Sequence, residues 1–217
     1  MSNSPPLERL WKLQTKVNMM VLDGKRDPEK VANIYQAILE GSVAASFDRE
    51  KWYEQDGVIY FSVTSDGTTA EEWIARLESK GFCLSDYAKY VLLSPDFNPT
   101  NGVKKVAVLD GMLFEHNHPI TSEIRAEAEK RKHSKPNAEI ACLIREKFTD
   151  KEIEAMGLWG IVVMHEPIND SDSDPSLLYA NRDGAGRCLN ACYDGSGRRW
   201  PRDIGFAFAV SQDGTES

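Results

Sequence analysis

Apolar positions recur at helical spacing in the first forty residues. Leu10, Leu13, Val17, Met20 and Val21 share one face of a segment over 7–22, which Gly24 stops. Asp27-Pro28 supplies an N-cap and a first-turn proline, and Val31, Ile34, Tyr35 and Ile38 then line one side of a second helix that ends at Gly41. The pattern predicts an N-terminal helical hairpin over 1–41. A short strand follows over 58–63, with Ser65-Asp66-Gly67 as its turn. Thr69 and Glu72 make a capping box for a helix through Trp73, Ile74 and Leu77 that stops at Gly81, and Ser85-Asp86 starts another that Pro95 limits. Residues 42–100 thus read as an accessory strand-helix-helix region.

Positions 103–114 predict the next strand region, with Gly111 as a bend or bulge. A charged helix begins at Thr121, a second at Pro136-Asn137 with Ile140, Leu143, Ile144 and Phe148 inward, and Thr149 with Glu152 repeats the capping box before Gly157. The apolar run 158–164 is the most strand-like of all. Beyond it the chain reads as short strands over 177–180, 187–193 and 205–211 joined by Gly- and Asp-rich turns. In the last, Phe206, Phe208 and Val210 alternate with Ala207 and Ala209. The order from 101 to 217 predicts an α+β domain of two helices and a small antiparallel sheet.

Composition changes this picture at one place. Residues 168–211 contain no Lys, Glu, Gln or Met, although these types make up 42 of the 217 residues and about eight would be expected there. Turn-rich β structure accounts for some of the depletion, since Gly, Asp, Asn and Ser make turns and long helix formers are scarce. Codon chemistry accounts for more. An Asn codon randomised only at its adenines reaches Asn, Asp, Tyr, Ser, Gly, Arg, Cys, Ala, Pro and Ile, but never Lys, Glu, Gln, Met or Trp. The segment obeys that exclusion apart from Trp200. Lys and Glu seldom vanish altogether from a β region, which favours the codon reading.

The charge balance narrows the functional classes. A net charge of −8 argues against a nucleic-acid surface as the main function, because phosphate contact needs concentrated Lys and Arg; Arg198, Arg199 and Arg202 are the local exception. No apolar stretch approaches a membrane span, and the opening MSNSPPLERLWK lacks a signal-peptide pattern, so the expectation is a soluble, cytoplasmic product, with display or secretion by an unrecognised route left open. Asp170, Asp172 and Asp174 alternate like the start of a calcium loop. The signature then fails, with Pro175 where Gly belongs and Asn181 where Glu belongs. Glu115, His116 and His118 in a loop, and His165-Glu166 after the best strand, are ligand or acid-base types whose spacing demands no site. Cys83, Cys142, Cys188 and Cys192 have no zinc-like spacing, and Cys188 and Cys192 on one extended strand would be about 13 Å apart, too far for a disulfide. No catalytic residue, cofactor or metal is expected.

The element order from about 103 to 212, together with the run from Trp159 to Met164, the lone Trp200 and the ending Gly205-Phe206-Ala207-Phe208-Ala209-Val210, resembles the C-type-lectin fold. Two groups with this fold are similar: the variable proteins of diversity-generating retroelements and the formylglycine-generating enzymes. The chain also resembles uncharacterised proteins of uncultivated small-genome microbes. The first resemblance implies adenine-directed mutagenesis of a segment over about 177–208, hence a non-catalytic module that binds a protein or small ligand through a diversified surface. The second implies a cysteine enzyme with Cys188 and Cys192 as redox or copper ligands, and an undiversified structural or regulatory partner protein is the third possibility.

Strand alternation over 187–193 sends Leu189, Ala191 and Tyr193 one way and Cys188, Asn190 and Cys192 the other. The second set is the expected displayed face. Tyr179, Asn181, Arg182, Asp183, Ala185, Tyr193, Ser196, Arg198 and Arg199 complete the expected binding surface, with Tyr and Arg as anchors and Ser, Gly and Asn as adaptable polar contacts.

Overall fold

The computed structural model describes residues 14–15, 17–19, 21–24, 27–39, 51–115, 117–183 and 186–210. The chain divides into two compact units, Met1–Lys51 and Trp52–Ser217. In the first, helix α1 (Pro28–Leu39) begins where the sequence pattern places it, with the Glu29 amide donating to Asp27 Oδ1 at 2.9 Å. The described residues from 17 to 22 are helical and Gly24 leaves that helix at φ +69°, while much of the expected helix over 7–22 and the stop at Gly41 lie outside the described residues.

The second unit is built on one sheet. Along the chain run β1 (Tyr53–Gln55), β2 (Val58–Asp66), α2 (Ala70–Ser79), β3 (Cys83–Leu84), α3 (Asp86–Leu92), β4 (Asn101–Asp110) and a 3-10 turn (Gly111–Leu113). Then come α4 (Thr121–Lys130), β5 (His133–Ser134), α5 (Ile140–Lys147), α6 (Asp150–Ala155), β6 (Gly160–Val163), β7 (Ile168–Asn169), β8 (Pro175–Asp183), β9 (Gly186–Tyr193) and β10 (Ile204–Val210). The strand order is β1-β2-β4-β10-β6-β8-β9-β3, with β5 also on β10 and β7 on β8.

The expected C-type-lectin-like domain of two helices and a small antiparallel sheet is overturned. In the second unit the described residues form a mixed sheet of ten strands with five α-helices and the 3-10 turn. β2 pairs with β4 along all nine of its residues, from Val58↔Leu109 to Asp66↔Asn101, so strands from both sides of position 100 share one sheet. Two pairings are parallel, β6 with β10 and β3 with β9. Periodicity reports which residues face a core but carries no signal for which strand lies alongside.

Local chemistry explains most boundaries. Thr69 and Thr149 each accept from the amide three residues on while Glu72 and Glu152 return to the cap amides at 2.9 and 2.7 Å, closing two capping boxes. Ser85 caps α3 through the Ala88 amide. In β2, Ile59, Phe61 and Val63 enter one core while Val58 and Tyr60 enter the other, as period-2 alternation requires. The first core lies under α2, α3, α5 and α6, where Trp73, Leu77, Val91, Leu92, Ile144 and Ile153 are buried. The second joins Ile124 and Ala128 of α4 to Leu109, Val162, Leu177, Trp200, Phe206 and Phe208. Each such large side chain contributes roughly 1.5–3 kcal/mol on burial. Among the described residues no helix is long and apolar enough to cross a membrane.

Two buried polar side chains lock the first core. Glu139, 1% exposed, accepts from Ser65 Oγ at 2.7 Å, the Thr100 amide at 3.0 Å and Trp73 Nε1 at 3.2 Å, which fastens β2, α2 and the start of β4 to α5. Arg145 is fully buried and donates to the carbonyls of Asn181 at 3.0 Å and Phe148 at 2.7 Å, with Asp150 at 3.0 Å. The first of those bonds ties a core helix to the backbone of β8.

Candidate recognition surface

β8 and β9 form a hairpin in continuous antiparallel register from Ser176↔Tyr193 to Asp183↔Gly186. Alternation divides it. Leu178, Ala180, Leu189 and Ala191 pack on the first core, beneath the helices. The opposite face carries Leu177, which is buried in the second core, with Tyr179 and Cys192 packed against that core, and Asn181, Cys188 and Asn190; apart from Leu177 these are types that adenine substitution in an Asn codon can reach. Tyr179, Asn190 and Cys192 are half-buried, and Asn190 Nδ2 donates to Asn181 Oδ1 at 2.7 Å across the pair.

Several expectations need correction. Asn181 and Cys188 are 3% and 0% exposed and so are not displayed; Asn181 lies opposite Gly160 of β6 and Cys188 opposite Cys83 of β3. Arg182 belongs to the helix-covered face, with its guanidinium 3.3 Å from the Glu154 carboxylate of α6. Tyr193 alternates to that same side at the strand end yet is 50% exposed. Asp183 closes the β8 ladder opposite Gly186, and Ala185 lies outside the described residues.

The loop after β9 is held by main-chain bonds and by the Asp194 carboxylate, which accepts from Arg125 Nη2 of α4 at 2.7 Å. Arg198 and Ser196 carbonyls accept from the Thr121 and Ser122 amides at 3.1 and 3.0 Å, satisfying donors at the N-terminus of α4 that no side chain caps. The Trp200 amide donates to the Pro119 carbonyl at 3.0 Å, the Asp194 amide to the Pro175 carbonyl at 2.7 Å, and Arg199 bridges Ile120 through backbone. One side chain fixes the end of the loop: Trp200 is buried, donates from Nε1 to Thr121 Oγ1 at 3.0 Å and meets Phe206 edge-on at 5.6 Å. Ser196 and Arg199 are exposed, while the Arg198 guanidinium lies over the Trp200 ring at 4.2 Å and donates to the Tyr193 carbonyl at 2.8 Å.

The hairpin's outer face continues onto β6. Trp159, 38% exposed, stands 6.0 Å from the Tyr179 ring. Gly160 beneath them is required to be small, since a Cβ there would lie 2.6 Å from Tyr179 Cε2 and 3.0 Å from Asn181 Cβ. At the far end of β6, the His165 ring accepts the Leu178 amide at Nε2, 2.9 Å away, and is 1% exposed. Trp159 is a surface residue that the sequence reading missed. It lies inside an apolar run whose strand character hides its exposure.

Other candidate chemistry disperses. Burial pushes the Cys192 thiol up to about 12, with Arg198 opposing, so its thiolate is strongly disfavoured. Burial likewise raises the Tyr179 phenol. Asp170 accepts from the Asp172 and Asp174 amides at 2.9 and 3.2 Å and from Ser176 Oγ at 2.8 Å, so the acidic alternation serves a turn. His118 is exposed, His165 is buried, and His116 lies outside the described residues. Among the described residues no group of three His, Cys, Asp or Glu is arranged to hold a metal ion.

No protein-family model, no curated protein and no solved structure matches this chain.

Proposed function

We propose that this protein is a binding module whose segment over about 177–208 is a diversified recognition surface for a protein or small ligand. The surface consists of Tyr179, Asn190 and Cys192, half-buried on the hairpin face opposite the first core, where Tyr179 and Cys192 also pack against the second core, and of Tyr193, Ser196, Arg198 and Arg199 around the following loop. One observation carries the reading. The hairpin is fixed through sheet register, and the loop by main-chain hydrogen bonds to 119–122 together with the Asp194–Arg125 pair and buried Trp200, so the side chains of Tyr193, Ser196 and Arg199 can change without removing what positions them. The residues of this segment that enter the cores include the large apolar Leu177, Leu178, Leu189, Trp200, Ile204, Phe206 and Phe208 and the small Ala180 and Ala207. Tyr and Arg supply contact area and anchoring at such a surface, and Ser and Asn supply adaptable polar contacts. The reading assigns no catalytic role.

The test is the DNA of the native locus. A near-copy of the stretch encoding 177–208 beside a reverse transcriptase gene, with mismatches at adenines in the codons for Tyr179, Asn190, Cys192, Tyr193 and Arg198 and none in those for Leu178, Leu189 and Trp200, supports the proposal. A complete locus with neither feature, or mismatches concentrated in core codons, refutes it.

A further inference from the structure

We infer that Cys83 and Cys188 form a redox modification site, in which oxidised glutathione or another small disulfide drives closure of a bond between β3 and β9. The pairing carries the inference. β3 and β9 are parallel neighbours with Cys83↔Cys188 and Leu84↔Leu189 in register. Leu189 is buried in the first core and Leu84 packs against it, so both leucines point to the helix-covered side. Alternation then sends Cys83 and Cys188 together to the other face. Adjacent strands run about 4.8 Å apart, and disulfides span Cα separations of about 4.4–6.8 Å. None of the four cysteines is in a disulfide in this structure.

The two thiols are unequal in access, which assigns their order of reaction. Cys83 is half-buried and Cys188 is 0% exposed. The Cys83 thiolate attacks one sulfur of the small disulfide, forming a mixed disulfide and releasing one glutathione thiolate. The Cys188 sulfur, after losing its proton, attacks Cys83 Sγ, the protein S–S bond forms and the second glutathione leaves. The protein gives up two electrons and two protons, and one glutathione disulfide becomes two thiols. Cys142 is buried within α5 and burial raises its thiol far above the ordinary value, so it takes no part. β3 is only two residues long, and the new bond would fasten that edge strand to the strand that carries Asn190 and Cys192. The inference stands whether or not the surface is diversified.

The full chain, incubated with excess oxidised glutathione, is denatured, alkylated and peptide-mapped without reduction. The expected result is a fall from the chain's four thiols to two, a single intramolecular Cys83–Cys188 linked peptide, and a melting temperature that rises on oxidation and returns with reductant. Cys83→Ser should retain all its remaining thiols, while Cys192→Ser should still form the link. Retention of four thiols, stable glutathione on Cys83 without closure, a link through Cys142 or Cys192, or a chain-to-chain disulfide overturns the inference.

Discussion

Acidification should weaken this fold through a single buried ring. His165 is 1% exposed, its Nε2 accepts the Leu178 amide at 2.9 Å, and its Nδ1 donates to the Glu166 carbonyl at 2.6 Å. A proton on Nε2 would set two N–H groups against each other in a site that water does not reach. Burial accordingly lowers the ring from 6.5 to about 4. The folded pKa lies below the unfolded one, so the unfolded chain binds the extra proton between those values. The contribution is therefore fully present above pH 6.5 and declines as pH falls, by about 1.4 kcal/mol per unit, to a total of about 3 kcal/mol near pH 4. Urea unfolding from pH 7.5 to 4.5 should show wild type losing about 2 kcal/mol between pH 7 and 5, and His165→Gln, which keeps an acceptor but cannot titrate, losing far less. His133 is also lowered by burial and acts with the same sign, so His133→Gln belongs in the series. Asp66 is held down to about 2, and Glu127, Glu146 and Glu166 are also lowered, so their ion pairs fail mostly below this window. Asp110, raised by burial, works in the opposite direction. Parallel pH profiles for wild type and His165→Gln would refute the argument.

Three further perturbations address the hairpin and its supports. Arg145→Met removes the donors to Asn181 and Phe148 and should cost about 3 kcal/mol in urea unfolding, and a loss below about 1 kcal/mol would show the buried guanidinium to be dispensable. Gly160→Ala places a Cβ 2.6 Å from Tyr179 Cε2 and should cost about 1–3 kcal/mol while altering near-ultraviolet circular dichroism from Tyr179 and Trp159; an unchanged spectrum and stability would contradict the close approach. Tyr193→Ala at the exposed strand end should change stability by about 0.5 kcal/mol or less, whereas Leu189→Ala in the first core should cost about 2–5 kcal/mol. Equal losses by thermal or urea unfolding would erase the distinction between displayed and core positions.

Features determined within a few residues were readable from the chain. Thr69 with Glu72 and Thr149 with Glu152 announce helix starts because a capping box is closed by groups three residues apart. The alternation over β2 and β10 announces strands because each side chain's direction follows from its own backbone. The same rule separates Leu189 and Ala191, which pack on the first core, from Cys192, which packs on the second. Exposure did not follow from it. Cys188 and Asn181 are buried, beside Cys83 of β3, more than a hundred positions earlier, and Gly160 of β6. The parallel pairing of β6 with β10, the addition of β2 to β4, and the docking of Ser196 and Arg198 carbonyls on the first amides of α4 are likewise long-range choices. Propensity, capping and periodicity act within a turn or two of chain, while strand order is decided by which faces bury together and which backbone groups remain to be satisfied. The sequence by itself determined where helices and strands begin and which side chains share a face; the tertiary structure alone decided which of those faces stays open.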